Sequence, residues 1–317
     1  MSLMAALAAP LAGESPALER ERGLLAAALG DHGRAFACPD AAALDAALDE
    51  ILGGRFGVLG VAGGDAGVGA VVSALLARGP WPEALRLVPL GGGAQGLLNE
   101  DLDIKGAPHE IAARFAGGGR RGGPLAALRR RSAPEVSRRT LKLVTSDLPR
   151  AAYGFTFGVG ALYRILEATQ RRSGAAHAGL RPSLGALARG LMATPEAWEA
   201  VPVRMSVDRA PFAASLRLAA ASTLPALPLG LRPFEAAIVD EARLHVLWHD
   251  MNAAATAALA LPLSRGKLQS AQSRTLKAER VVLDLDAGLV LDGELMPPCG
   301  PRVVALSPGP LIPMLRV

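Results

Sequence analysis

The sequence has little of several features that would narrow its function at once. Aromatic residues make up 4% of its 317 residues, and cysteine occurs only at Cys38 and Cys299. Two cysteines so far apart do not indicate a disulfide framework or a cysteine metal site. No apolar run approaches the roughly 20 residues that a membrane-spanning helix needs. Residues 1–16 lack a basic region and a long apolar core, so a secretory signal is not expected.

Charge is slightly basic and unevenly placed. The chain carries 34 Lys and Arg against 29 Asp and Glu, a net charge of +5. The basic residues crowd one stretch, with Arg120, Arg121, Arg129, Arg130, Arg131, Arg138, Arg139 and Lys142. No aromatic side chains interleave with them, so nucleic-acid binding is not expected. A solvated face is the first interpretation and an anionic membrane surface the second, in a cytoplasmic protein with or without peripheral membrane attachment.

The most informative stretch is a strand, a glycine turn and a helix in succession. Residues 56–61 form a short apolar run typical of a buried strand, and helical spacing begins soon after it. The turn between them contains Gly63, Gly64, Asp65 and Gly67. Glycines there allow N–H groups to face an anion at the helix N-terminus. A tight packing joint is the alternative.

A second glycine turn follows the next predicted strand. Residues 85–90 are apolar and precede the triplet Gly91–Gly93. Because neighbouring parallel strands end at the same edge of a sheet, where ligands bind, both turns are predicted to face one crevice. We expect Gly64 and Gly92 to lie close together there, with Asp65 at the rim.

The remaining pattern predicts two domains. Helices are predicted over residues 16–29 and 40–52, with Asp40 as a cap, and a strand over residues 35–38. After Thr140 the chain changes to short alternating segments typical of strands, interrupted by helical patterns. The segments cover residues 141–148, 153–160, 201–208, 214–222, 242–250, 279–286, 287–295 and 302–308, and the helical patterns cover Leu162–Arg172 and Ser183–Met192. The fold class is therefore α/β plus β, with an N-terminal Rossmann-like parallel α/β domain over residues 1–130 and a C-terminal antiparallel β-sandwich-like domain over residues 140–300.

Three motifs in order resemble those of the diacylglycerol kinase catalytic family, which includes sphingosine kinases and bacterial lipid kinases. GGDAG resembles the family's Gly-Gly-Asp-Gly-Thr, PLGGGAQ resembles Pro-x-Gly-Thr-x-Asn-Asp, and Asp292-Gly293-Glu294 resembles Asp-Gly-Glu. The likeness runs from about Ala35 to the end. It implies an active site in a cleft between the two domains and a closing segment, residues 301–317, that returns to the first. The family's usual first strand, ending in Asn-Pro-x-Ser-Gly, is not found, so that strand is missing or replaced.

The resemblance also implies roles for the acidic residues. Asp65 would lie by the phosphates of ATP and its Mg²⁺, or it would instead satisfy N–H groups at a helix N-terminus. Glu294 would be the general base for a lipid hydroxyl, oriented by Asp292. In a strand, a spacing of two residues would put Asp292 and Glu294 on one face, whereas Asp292-Gly293 is also a common hairpin turn.

Several positions depart from the family pattern. Gly stands for Thr at positions 67 and 92, Ala replaces Gly at 66 and Asn at 94, and Gln replaces Asp at 95. Gln95, Asn99 or Glu100 would have to compensate. The resemblance implies ATP-dependent phosphorylation of a lipid hydroxyl, such as that of diacylglycerol. The alternative is a catalytically inactive relative that binds a lipid or a protein partner in the cleft.

A pair of histidines suggests a metal site only superficially. His245 and His249 lie four residues apart in an alternating segment, and in a strand that spacing separates them widely. Metal binding by this pair is therefore not expected.

Overall fold

The structure, a computed structural model, describes residues 3–8, 13–93, 96–116, 134–173, 198–228, 232–234, 237–239, 241–250 and 273–316. The chain divides into two compact units. Unit 1 comprises Met1–Arg138 and Ile312–Val317, and unit 2 comprises Arg139–Leu311. Some sequence predictions lie outside the described residues: Arg120, Arg121, Arg129, Arg130, Arg131 and the helix over Ser183–Met192.

Unit 1 alternates strands with helices. Its elements are β1 (Leu3–Ala8), α1 (Pro16–Leu29), a 3₁₀ turn (Gly30–His32), β2 (Gly33–Ala37), α2 (Ala41–Gly53), β3 (Phe56–Ala62), α3 (Gly64–Leu76), β4 (Arg86–Gly91), α4 (Leu97–Asp101) and α5 (Pro108–Ala116). The strands pair in parallel in the order β2-β1-β3-β4. Met314, near the chain end, extends the parallel sheet by pairing with Leu87. The predicted parallel α/β architecture is confirmed.

Local sequence explains where two helices of unit 1 begin. The Ser15 hydroxyl accepts a hydrogen bond from the N–H of Leu18 at 3.2 Å, just before α1. The Asp40 carboxylate accepts from the N–H of Ala43 at 2.8 Å, just before α2. Both side chains satisfy N–H groups that have no partner inside the helix. The cap predicted at Asp40 is confirmed.

Strand β1 was not predicted, and it decides between the two alternatives for the first strand, which is replaced rather than missing. It lies between β2 and β3, and its residues from Ala5 to Ala8 are fully buried. Alanine is a weak strand former, and a strand buried on both faces shows no alternation, so neither sequence pattern marked it. A Cβ on Gly33 of β2 would lie 2.1 Å from the carbonyl oxygen of Met4. The close approach of these two strands therefore needs glycine at position 33.

Unit 2 is mainly antiparallel. The elements from its start to the end of the chain are β5 (Glu135–Thr145), β6 (Ala152–Gly154), β7 (Thr156–Gly160), α6 (Ala161–Ser173), β8 (Val201–Val207), β9 (Ala210–Leu216), β10 (Leu218–Ser222), β11 (Leu244–His249), β12 (Ser273–Ala278), β13 (Val281–Leu285), β14 (Leu289–Leu291), β15 (Glu294–Met296) and β16 (Arg302–Leu315). One sheet has the order β12-β11-β10-β7-β14-β15. Another group pairs β9, β8, β13 and the beginning of β16 in antiparallel fashion, with β5 beside β16.

The core of unit 2 explains the alternating sequence pattern. In β8, the sequence VPVRMSV buries every second residue. The buried side chains of β7, β8, β10, β11, β13 and β16 form one apolar cluster between the sheets. The other face of β10 contributes Leu218 and Ala220 to a second cluster with Leu162 and Leu166 of α6. The predicted antiparallel, sandwich-like class is confirmed.

Candidate functional site

The first glycine turn joins β3 to α3 through Gly63 and Gly64. Their φ angles are 133° and 69°, a region that residues with a Cβ rarely adopt. Gly67 is buried in the first turn of α3, and its N–H donates to the carbonyl of Gly63 at 3.4 Å. Backbone geometry alone therefore accounts for glycine at positions 63 and 64.

The second glycine turn, Gly91–Gly93, lies directly against the first. Gly91 and Gly92 have φ angles of 79° and 88°. The N–H of Gly63 donates to the carbonyl oxygen of Gly91 at 2.7 Å. A Cβ on Gly93 would lie 2.6 Å from the carbonyl oxygen of Gly63 and 2.7 Å from the Cα of Gly64. The two turns are close together, as expected. The hydrogen bond between them occupies the N–H of Gly63, which is therefore not available to an anion.

Asp65 is a buried helix cap. It is 2% exposed, so its predicted place at a rim is wrong. Its Oδ2 accepts from the N–H of Leu97 at 2.7 Å, and its Oδ1 accepts from the N–H of Leu98 at 3.1 Å. These groups begin α4, whose own N-cap residue, Gly96, has no side chain to offer. Of the two readings of Asp65, the structure shows the carboxylate satisfying helix N–H groups, although the helix is α4 and not its own.

Glu21 of α1 is a residue that the sequence analysis missed. Its Oε1 lies 3.1 Å from the position of a Cβ built on Gly92, and the Pro108 ring lies 3.2 Å from the same position. Burial raises the pKa of the Glu21 carboxyl above its usual value. No sequence pattern could have found this contact, because it joins a helix to a turn far along the chain.

Asn99 of α4 lies beside Gly91 of the second glycine turn. Its Nδ2 donates to the carbonyl of Pro89 at 3.0 Å. Its Oδ1 is buried and has no hydrogen-bond partner. That oxygen lies 3.8 Å from the position of a Cβ built on Gly91. Asn99 was predicted only as a residue that could compensate for lost donors, whereas its amide N–H is bonded to Pro89 and its oxygen is buried.

In unit 2, Asp292 and Gly293 form the turn between β14 and β15. Their φ angles are 51° and 86°, and Leu291 pairs with Glu294 across the hairpin. Two positive φ angles in a two-residue loop are typical of a type I′ turn. Asp292 and Glu294 therefore do not lie on one strand, which corrects the prediction made from their spacing.

The carboxylate of Asp292 binds the chain segment that links β6 to β7. Asp292 is 3% exposed. It accepts from the N–H of Phe155 at 2.9 Å and from the N–H of Thr156 at 2.8 Å, and the Thr156 hydroxyl donates to it at 3.1 Å. A Cβ on Gly154 would lie 2.5 Å from Oδ2. The aspartate thus fastens a hairpin to the centre of the six-stranded sheet.

Glu294 has a different environment from Asp292. It begins β15 as an exposed residue. Neighbouring atoms nevertheless remove water from its carboxyl, and this desolvation raises the pKa of Glu294. A raised pKa brings a carboxyl closer to neutral pH, where a general base works best.

Arg302 is a buried cation of unit 2 that the sequence analysis did not single out. It is 2% exposed, donates to Asp147 at 2.8 Å, and donates to the carbonyls of Ala287 at 2.6 Å and Pro297 at 2.9 Å. The Cys299 thiol also donates to Asp147, at 3.3 Å, which raises the pKa of that thiol. These contacts connect the start of β16 to two neighbouring loops.

The two histidines of β11 pack against separate aromatic rings. His245 stacks on Phe234 at 4.5 Å between ring centroids, and His249 stacks on Trp198 at 6.1 Å. Burial lowers the pKa of His249 to about 4. In the part of the chain that the structure describes, no three His, Cys, Asp or Glu side chains form a group that could hold a metal ion.

Two arginines of the basic stretch are internally paired. Arg138 donates to Asp101 at 2.5 Å, and Arg139 donates to the carbonyls of Gly309 and Val239, both at 3.1 Å. These contacts give both residues partners within the protein, which neither the solvated face nor the membrane surface predicted for the basic stretch requires. Within the described ranges, no helix combines the length and apolar character needed to cross a bilayer.

Comparison with known proteins identifies this fold. No protein-family model matches the sequence, and no curated protein matches it. A solved structure described as a "putative diacylglycerol kinase" from Bacillus anthracis str. Sterne matches over 100% of this chain and 97% of that chain, at 13% identity and a TM-score of 0.62. A diacylglycerol kinase structure from the same organism matches over the same shares, at 12% identity and a TM-score of 0.59.

A further structure with the first description covers 96% of this chain and 94% of that chain, at 13% identity and a TM-score of 0.61. Identity this low establishes the fold alone. The resemblance inferred from the three motifs is thus confirmed at the level of the fold, and the chain has a lipid-kinase-like architecture.

Proposed function

We propose that this chain is a lipid-kinase-like protein that binds a lipid or a protein partner and transfers no phosphoryl group. One observation carries the proposal. Both motif aspartates are buried and use their carboxylates on backbone N–H groups, Asp65 at α4 and Asp292 at the start of β7. Each therefore has a structural task that explains its presence without catalysis.

The two turns also offer fewer hydrogen-bond donors for phosphates than the family pattern does. Positions 67 and 92 are glycine, so no hydroxyl is present at either, and the N–H of Gly63 is already bonded to Gly91. Removing one preorganised donor typically lowers transition-state stabilisation by about 2.7–4 kcal/mol. Loss of two hydroxyls and an N–H would leave too little stabilisation for turnover.

The residues at the turns do not fit a magnesium–triphosphate group. Mg²⁺ is usually held by one or two carboxylates together with substrate phosphates. Both oxygens of Asp65 already accept N–H groups, and the carboxylate of Glu21 lies at Gly92, where it would repel a phosphate. This misfit supports a binding function over a kinase function.

Calorimetry and turnover together test the proposal. The full chain would be titrated with MgATP, with and without mixed micelles containing diacylglycerol, and ATP consumption would be followed in the same samples. We expect no lipid-dependent ATP consumption. Lipid-dependent turnover that falls about 100-fold in Glu294→Gln would overturn the proposal, because that substitution removes a base and keeps its shape.

A converse variant guards against an inactive preparation. Ala66→Gly, Gly67→Thr, Ala94→Asn and Gln95→Asp together restore the family pattern except at position 92, where a φ of 88° and the contact with Glu21 do not suit threonine. If the fold has lost only its phosphate donors, this variant should bind MgATP. Its gain in binding free energy should exceed the sum of the gains of the single variants, because groups that hold one phosphate act as a unit. The single change Gly67→Thr is the matched reference.

A working diacylglycerol-kinase-like phosphotransferase is the second candidate. The raised pKa of Glu294 favours it, since that carboxyl is suited to accept a proton from a lipid hydroxyl. In this candidate Glu294 is the base and Asp292 holds the hairpin that presents it. The same turnover measurement on wild type and Glu294→Gln decides between the two candidates.

A further inference from the structure

We propose that His249 and Trp198 form an acid-sensitive latch in unit 2. The latch is closed while the His249 ring is neutral. Protonation of the ring releases the end of β11 from β10 and from Trp198, and it uncovers part of the second apolar cluster. The proposal goes beyond the proposed function, because it holds whether or not the chain transfers a phosphoryl group.

The His249 ring joins the end of β11 to the segment before β8. His249 pairs with Leu218 of β10 and with Ser273 of β12, and it is 1% exposed. Its ring stacks on Trp198, with 6.1 Å between the ring centroids and 18° between the ring planes. Trp198 belongs to the second apolar cluster of unit 2, together with Leu218 and Leu247. Release of the ring would therefore expose apolar side chains.

The Nδ1 atom of His249 lies in a place that does not suit a proton. It is buried and has no hydrogen-bond partner. A neutral imidazole carries a proton on only one of its two nitrogens, whereas a protonated ring has an N–H donor at both. The ring would then hold a buried donor without an acceptor, together with a buried charge. The closed latch therefore disfavours the protonated ring.

The charged groups around the ring leave that preference in place. Arg217, just before β10, donates through Nε to the carbonyl of Asp250 at 2.6 Å and through Nη1 to the carbonyl of Trp198 at 2.8 Å. Burial lowers the pKa of His249 to about 4; the Asp250 carboxylate opposes this shift, and the Arg217 guanidinium adds to it. Two further charged groups, on α6 and beside Trp198, pair with each other: Arg164 and Glu199, 3.8 Å apart.

Acid favours the open latch. In the open state the ring meets water and has its ordinary pKa of 6.5, whereas in the closed state the pKa of His249 is about 4. The open state therefore binds a proton at a higher pH than the closed state does. Closure is fully favoured above pH 6.5, and it weakens as the pH falls toward 4. Between pH 7 and pH 5 the equilibrium constant for opening should rise roughly 20-fold.

Amide hydrogen exchange on the full chain tests the latch, at pH 7 and pH 5, after correction for the pH dependence of the intrinsic rate. The reporter is the N–H of Arg217, which donates to the carbonyl of His249 at 3.1 Å. Its protection should fall roughly 20-fold at pH 5. At both pH values it should stay below the protection of the amides of β13, because the latch opens without unfolding of the whole unit.

Two variants separate the histidine of the latch from other effects of acid. His249→Phe keeps an aromatic ring for the stack and cannot be protonated, so the fall in protection at Arg217 should be absent. His32→Phe makes the same change at an exposed histidine of unit 1, and it should behave as the wild type does. An equal fall in wild type and His249→Phe would overturn the latch. Equal protection at Arg217 and β13 would overturn it too, because exchange would then require unfolding of the unit.

A second measurement keeps the proposal testable if His249→Phe does not fold. In the wild type, the imidazole NMR signals of His249 should show a neutral ring at pH 5.5. A protonated ring at that pH, with the Arg217 amide still protected, would overturn the latch, since protonation would not open it. None of these outcomes changes the proposed function, which is tested by lipid-dependent ATP consumption.

Discussion

Asp65 of unit 1 and Asp292 of unit 2 stand in the two acidic motifs, and they are buried to nearly the same degree, 2% and 3% exposed. Their tasks differ in extent. Asp65 binds the N–H groups that begin the short helix α4, whereas Asp292 binds two N–H groups and a hydroxyl at a central strand. The comparison shows that a motif carboxylate can remain in place because the fold needs it.

Glu21 and Glu294 differ from the two aspartates, because burial disfavours the charge of their carboxyl groups. Desolvation raises the pKa of each, so the fold disfavours their charge. N–H donors offset the cost of removing water from a structural carboxylate. A carboxylate that serves a ligand or catalysis does not need such donors in the free protein. Substitutions at these four residues should therefore fall into two distinct classes.

Asp292→Ala should have the largest effect on stability. The change leaves the N–H groups of Phe155 and Thr156 and a hydroxyl without their acceptor in a buried place. Since each unsatisfied buried group costs about 1–3 kcal/mol, we expect a loss of roughly 3–5 kcal/mol in the free energy of unfolding. Urea denaturation followed by tryptophan fluorescence measures it, in a Trp81→Phe background so that the signal comes from Trp198 and Trp248 of unit 2.

Asp284→Ala is the control for Asp292→Ala. Asp284 lies 3.8 Å from Arg204, and both side chains are largely in solvent, at 47% and 85% exposure. Surface ion pairs contribute about 0–1 kcal/mol, so the control should change little. Equal losses in the two variants would contradict a structural role specific to Asp292.

Asp65→Ala should have the next largest effect, about 2 kcal/mol. It removes the acceptor of the Leu97 and Leu98 N–H groups, and loss of a helix cap typically costs about 0.5–2 kcal/mol, with more for a charged acceptor. Amide hydrogen exchange should accelerate at α4. Asp65→Asn retains one acceptor and should lose less; unchanged exchange in Asp65→Ala would refute the cap.

Gly93→Ala tests the contact between the two glycine turns. Its Cβ would lie 2.6 Å from the carbonyl oxygen of Gly63, which is backbone and cannot swing away. Overpacking of this kind costs about 1–3 kcal/mol. Gly23→Ala in α1 is the matched control, because nothing lies within 4 Å of its Cβ, and there alanine should stabilise the helix by about 0.5–1 kcal/mol. Equal melting temperatures of the two variants would argue against tight packing.

Glu21→Gln should have the smallest effect, under about 1 kcal/mol for a half-exposed group, and the effect should depend on pH. The folded state raises the pKa of Glu21, so it binds a proton more readily than the unfolded state does. The resulting stability is present at low pH and is lost as the pH rises through the folded pKa. Glutamine does not ionise, so the variant should be more stable than the wild type at pH 7, and the difference should disappear at pH 4. Glu14 is exposed, so Glu14→Gln is the control. An equal gain in stability at pH 7 in this variant would contradict a specific effect of desolvation at Glu21.

Much of the fold could be predicted from the sequence because local patterns determine it. The helix predicted over residues 16–29 is α1, Pro16–Leu29, and the strand predicted over 56–61 is β3, Phe56–Ala62. Caps, glycine turns and alternation are properties of short segments, so they can be recognised without knowledge of the tertiary contacts. β1 was missed because an alanine-rich central strand shows none of these properties.

The side-chain contacts of the site could not be predicted in the same way. Glu21 meets Gly92, and Asp292 meets Phe155, through contacts that join distant segments. Spacing placed Asp292 and Glu294 on one strand, whereas their backbone forms a turn. The Asp292-Gly293 dipeptide also indicated a hairpin turn. Both central residues of a type I′ turn have positive φ, which aspartate and glycine tolerate better than most residues.

The pairing of Met314 with Leu87 has a consequence for biosynthesis. These residues are more than two hundred positions apart, and the sheet of unit 1 includes both. A ribosome releases the chain from its N-terminus at about 5–20 residues per second, so the edge of β4 beside Met314 waits unpaired while all of unit 2 is translated. An unpaired strand edge can associate with other chains, and the nascent protein is therefore more exposed to aggregation until Met314 has emerged and paired with Leu87.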